Sequence, residues 1–95
     1  MSTYMILADV DEQEFQNPHE LATVWADVRS DIEDIGAEVR DTYAAMGGFD
    51  FVLIFDVENR DTALQVALIT ERYGVDTRTI PLFDTNRLGE IVEDV

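Results

Sequence analysis

"FVLIFDV", residues 51–57, is the stretch that decides the fold. It is rich in β-branched and aromatic residues and is read as a strand. Phe51, Leu53, Phe55 and Val57 fall on one side of such a strand, and Val52, Ile54 and Asp56 on the other. The first set is apolar without interruption and is assigned to the core. The second has an apolar centre, Val52 and Ile54, with Asp50 and Asp56 at its ends. Just upstream, "GGFD" (47–50) reads as the turn that feeds this strand. Glycine supplies positive φ in a tight turn, and aspartate accepts backbone hydrogen bonds there.

Working outward, "AEVRDTYAAM" (37–46) is a less apolar strand, suited to a sheet edge. An even number of turn residues would put Tyr43 and Ala45 on the Val52 face. "TYMILADV" (3–10) is apolar on both alternating sets, as a central strand would be, and its open face carries either Met5 and Leu7 or Tyr4 and Ile6. An acidic connector, "DEQEFQ", follows. The next segment reads as a helix with Asn17 as N-cap, Pro18 at N1, Glu20 closing a capping box and Gly36 at C′. Leu21, Val24, Trp25, Val28, Ile32 and Ile35 form its apolar stripe.

A second helix is expected from an Asn59 cap to Gly74, with Leu64, Ala67 and Leu68 as its stripe and Ala63, Val66 and Ile69 widening it. "VDTRTIPLF" (75–83) is a fourth strand, with Pro81 fitting an edge or strand end. A short terminal helix capped by Asp84 is expected to turn Leu88, Ile91, Val92 and Val95 inward. The order β-α-β-β-α-β with a tail helix predicts an α+β, ferredoxin-like antiparallel sheet with two helices on one face. The 95 residues fit one small domain spanning 1–95.

Six arginines and no lysine stand against 21 acids, for a net charge of −15. The acids are spread along a chain that is 46% hydrophobic, so a disordered acidic tail does not explain them. Such a composition fits the folded surface of an extreme halophile. In ~1 M salt the Debye length shrinks to ~3 Å and self-repulsion is screened. The arginines are scattered singly, which argues against nucleic-acid binding. There is no cysteine, no apolar run of membrane-spanning length and no basic n-region at the N-terminus, so a soluble cytoplasmic protein is the expectation.

"TYMIL", "DEQEFQNP" and above all "MGGFDFVLIFDV" resemble the GYD-domain proteins, and the likeness extends over nearly the whole chain in the same element order. That family is named for a Gly-Tyr-Asp signature after the second strand. Here Gly47 or Gly48 fills the glycine, Phe49 stands where tyrosine is usual, and Asp50 keeps the acid. The resemblance implies a ferredoxin-like fold related to the dimeric α/β barrels. It implies no established activity.

The candidate ligand or interface residues are Tyr43, Phe49, Asp50, Val52 and Ile54. Phe49 is expected to plug the end of the core, and Asp50 to sit at the mouth of an apolar cavity. No catalytic set is assigned. Asp9, Asp11, Glu12 and Glu14 lack the glycine and terminal glutamate of an EF-hand loop, so no metal site is expected. His19 is the sole histidine and has no cysteine to join it in a transition-metal site. Ser2 and Ser30 lie in no nucleophile elbow, and the glycine pair precedes a strand rather than a helix, unlike a phosphate loop. No cofactor is implied. The favoured expectation is a non-catalytic homodimer, paired through the open sheet face, that binds a small molecule or regulates. The alternative is a cofactor-free oxygenase or isomerase of the dimeric α/β-barrel type using Tyr43, Asp50 or His19. A regulatory domain with an effector or protein partner is a third reading, from fold analogy alone.

Overall fold

A computed structural model of the chain describes residues 1–10 and 18–93. Its elements run β1 (Ser2–Val10), α1 (Pro18–Asp34), β2 (Glu38–Ala44), β3 (Phe51–Val57), α2 (Arg60–Arg72), β4 (Val75–Leu82), a 3₁₀ turn (Thr85–Arg87) and α3 (Leu88–Val92). The strands form one antiparallel sheet in the order β2-β3-β1-β4. This is the split βαβ arrangement expected from the sequence. The connector acids Asp11, Glu12 and Glu14, the Asn17 cap and Val95 lie outside the described residues, as do the side chains of Pro18, His19, Glu20 and Leu21.

The register fixes which face each side chain takes. Tyr4, Ile6 and Ala8 of β1 pair with Phe55, Leu53 and Phe51 of β3, and these point toward the helices. Ile6, Leu53, Phe55 and Val57 are fully buried, joined by Val28 and Ile32 of α1 and Val66 of α2. Tyr4 stacks on Phe55 with centroids 5.8 Å apart, which adds directional packing to area burial. Met5 and Leu7, the alternative set, pair with Ile54 and Val52 on the open face. A full side-chain burial of this kind is worth roughly 1.5–3 kcal/mol, so the uninterrupted face of β3 is the one that takes the core.

The edges carry the polar strands. β2 is an edge, and its register slips between Val39 and Asp41, so that Arg40 forms a bulge. Arg40 lies 3.6 Å from Asp56, whose carboxylate also accepts the Thr3 hydroxyl. β4 is the other edge and tolerates Pro81 there. Gly36, at φ 91°, follows α1 in the left-handed conformation that a side chain would resist. Asn59 caps α2, accepting the Thr62 N–H at 2.9 Å.

Three expectations are corrected. The buried stripe of α2 is Ala63, Val66, Ala67 and Thr70, while Leu64 and Leu68 are 61% and 52% exposed. Small residues let α2 approach the sheet closely, and Thr70 satisfies its hydroxyl on the Val66 carbonyl at 2.9 Å. In α3, Leu88, Ile91 and Val92 are exposed rather than inward, and the helix packs chiefly on the turn before it. Ile35, at the end of α1, is also exposed, since the chain turns away at Gly36.

Candidate functional site

The connection from β2 to β3 is where the candidate residues concentrate. Gly47 adopts φ 114°, so the turn depends on glycine at that position. Asp50 then closes the connection from three directions. Its N–H donates to the Ala8 carbonyl at 3.0 Å, and its own carbonyl accepts the Ala45 N–H at 2.7 Å. Its carboxylate accepts the Val10 N–H at 2.9 Å. An acid is suited to this place because it accepts without needing to donate, and a charged acceptor makes the stronger bond.

Phe49 does not join the buried core cluster. It is half-buried, with the Arg78 guanidinium 5.8 Å from its ring centroid. Arg78 pairs with Leu7, so this contact belongs to the open side of the sheet. The aromatic residue at that end of the core is Phe51, whose ring meets Trp25 at 4.8 Å and 47°.

The open face carries Met5, Leu7, Val52 and Ile54 at its centre, with Tyr43 opposite Val52 and Ile80 opposite Met5. The six-residue connection Ala45–Asp50 is what brings Tyr43 to this face. Both described long helices pack on the other side. Asp41, Asp56 and Asp76 edge the patch.

A recess of about 430 Å³ lies between α1 and the β2–β3 ladder. Ala22, Trp25, Ala26 and Arg29 line it from the helix, and Thr42, Tyr43, Ala44, Phe51 and Val52 from the strands. Its volume falls in the range of small-molecule sites, about 300–1,000 Å³, and its lining is mainly apolar, as such sites require. The helix contributes by spacing. Residues 22, 25, 26 and 29 recur at i, i+3, i+4 and i+7, so they share one face. The two alanines leave the room, and Trp25 supplies the large wall.

Polar groups stand within this lining. Arg29 bonds Glu33 through Nε at 3.2 Å, which uses one of the five guanidinium donors. Thr42, paired with the core-facing Leu53, brings a hydroxyl from the helix side of β2. Trp25 Nε1 is shut off from solvent and has no hydrogen-bond partner among the described residues. Such an orphan costs roughly 1–3 kcal/mol, an uncommon feature in a native core.

Two of the sequence candidates, Tyr43 and Val52, therefore meet at the recess. Asp50, Phe49 and Ile54 do not line it. Trp25, expected in the core, does pack against the core while also walling the recess. Ala22, Ala26 and Arg29 are not among the residues that the sequence singles out. Their signal there is a second, small-residue stripe running beside the apolar one. Among the described residues no group of three or more His, Asp or Glu side chains could hold a metal ion. No described helix is long and apolar enough to cross a membrane.

The family model described as "GYD domain" matches residues 4–92. Among solved structures, the chain is similar to TTHA0845 from Thermus thermophilus, with a TM-score of 0.59 and 20% identity over 90% of this chain and 96% of that one. At that identity the likeness speaks for the fold. No curated protein matches the chain.

Proposed function

The chain belongs to the GYD domain family, and from that premise we propose that it is a non-catalytic, homodimeric module that binds a small, mostly apolar molecule. The observation that carries this reading is the recess between α1 and the β2–β3 ladder, walled by Trp25 and Phe51. A ligand body lies against the two aromatic rings. Its polar end meets Arg29 or Thr42, which fix orientation rather than break bonds. Asp50 does not line this recess, and its carboxylate accepts the Val10 N–H instead.

Dimerisation is supported by the open sheet face. An apolar patch of this kind, rimmed by charge, marks an interaction surface. Burying several hundred Å² at ~25 cal/mol per Å² outweighs surface ion pairs of about 0–1 kcal/mol. A net charge of −15 on each copy opposes association in dilute buffer, so pairing belongs to concentrated salt, as in a halophile.

A thermal-shift screen in molar KCl tests the ligand reading. Small aromatic and aliphatic acids, alcohols and amides are compared on the natural chain and on Ala26→Phe, which fills the recess. A ligand present at 100 times its Kd stabilises by ~2.7 kcal/mol. The expected result is a class that raises Tm in the natural chain and not in Ala26→Phe. Equal shifts in both would remove the recess as the site.

A further inference from the structure

No acid lines the recess between α1 and the β2–β3 ladder, although the chain has 21 acids among its 95 residues. Its one charged side chain is Arg29. The guanidinium spends only Nε on Glu33, at 3.2 Å. Its two terminal nitrogens make no hydrogen bond among the described residues, and their paired N–H groups match the two oxygens of a carboxylate. The Arg29–Glu33 pair is exposed, so it holds the side chain loosely. Thr42 adds a hydroxyl donor to the same lining.

The other half of the recess is aromatic. Trp25 stands one turn before Arg29 on the same face of α1, and its ring meets Phe51 at 4.8 Å and 47°. Tilted rings suit a third flat ring, which stacks on one while meeting the edge of the other and so gains more than area burial. Ala22 and Ala26 keep the space open. Trp25 Nε1 is closed to solvent, so the indole offers its ring and not its N–H. The aromatic wall and the cationic fork therefore start from helix positions about 6 Å apart along the axis.

We infer that this recess takes an aryl carboxylate, its ring against Trp25 and Phe51 and its carboxylate on the terminal nitrogens of Arg29. The inference rests on the recess being the ligand site proposed above, and adds the class of the ligand. A net charge of −15 repels an anion in dilute buffer. In molar salt the Debye length is ~3 Å, so the distant acids are screened and the groups in contact choose the ligand. Those groups favour an anion. A cationic end would meet Arg29 and no acid in the lining, and an amide offers the fork one acceptor instead of two.

Phenylacetate, phenylacetamide and phenethylammonium share a ring and differ in the polar end, so they separate class from site. Binding of each is measured by titration calorimetry in molar KCl to the natural chain, Arg29→Gln and Ala26→Phe, with circular dichroism checking each fold. Phenylacetate is expected to bind about tenfold or more tightly than the other two, as a bond to a charged group implies. Arg29→Gln should shrink that advantage to about threefold or less and leave phenylacetamide little changed, and Ala26→Phe should weaken all that bind. Acid and amide binding equally, with both lost in Ala26→Phe, overturns the carboxylate class and leaves the ligand recess standing. An acid preference that survives Arg29→Gln overturns it too. Binding that Ala26→Phe leaves unchanged, or no saturable binding of any of the three, removes the recess and this inference with it.

Discussion

The Asp50 carboxylate and the Val10 backbone N–H are 2.9 Å apart, and that bond ties the β2–β3 connection to the end of β1. Asp50 thus holds the sheet's end together. Its backbone does the same, through Ala8 and Ala45. The expected outcome of Asp50→Ala is a loss of about 1–2 kcal/mol, between the values for a neutral bond and for a bond to a charged group because this one is exposed. Denaturant unfolding in molar KCl measures it. A change below ~0.3 kcal/mol would mean the carboxylate has no structural part.

A core strand position and a helix surface position give a sharper contrast. Phe55→Ala removes a fully buried ring and is expected to cost about 3–5 kcal/mol. Leu68→Ala, at a half-exposed position on α2, is expected within about ±0.5 kcal/mol. Equal losses would restore Leu68 to the core stripe.

Much of the fold is legible in the residues alone. The unbroken set Phe51, Leu53, Phe55 and Val57 identifies the central strand and its buried side, because sustained apolarity at period two marks a strand with one face in the core. Asn59 and Gly36 mark helix ends for local steric and hydrogen-bonding reasons. Leu64 and Leu68 mislead because their bulk suggests burial. The sheet instead accepts the small face of α2, a choice set by tertiary approach rather than by periodicity. The recess is hidden for a related reason. It exists because Ala22 and Ala26 face the β2 ladder, and sequence shows their size but not what they face.

Alkaline pH provides a third test. The Tyr73 hydroxyl, at the end of α2, donates to Asp31 on α1. That hydrogen bond first, then burial and the negative charges of Asp31 and Asp27, push the Tyr73 hydroxyl above its usual value of 10.0. Because the folded value is raised, this contribution is fully present below about pH 10 and is lost as pH rises through the folded value. Stability is expected to fall in that window for the natural chain and to fall less for Tyr73→Phe. Identical pH profiles would remove the linkage.

Open-face pairing makes a fourth. Ile54→Asp places a charge at the centre of the exposed sheet surface, beside Met5. Light scattering in ~2 M KCl should give a dimeric mass for the natural chain and a monomeric mass for Ile54→Asp, with circular dichroism unchanged. Lowering salt from ~1 M to ~0.1 M lengthens the Debye length from ~3 to ~10 Å, so the natural chain should also lose pairing and Tm. A natural chain that is monomeric in molar salt sinks the open-face reading.

Trp25 is the chain's single tryptophan and a wall of the recess, so its emission reports the site without a label. The direct measurement is Trp25 fluorescence in molar KCl during titration with 1-anilinonaphthalene-8-sulfonate, an aromatic anion suited to Phe51 and Arg29. The account predicts saturable energy transfer from Trp25 at one site per chain, weakened at least tenfold by Ala26→Phe while the fold is retained. Non-saturating transfer, or transfer that Ala26→Phe leaves unchanged, would contradict a ligand site between α1 and the β2–β3 ladder.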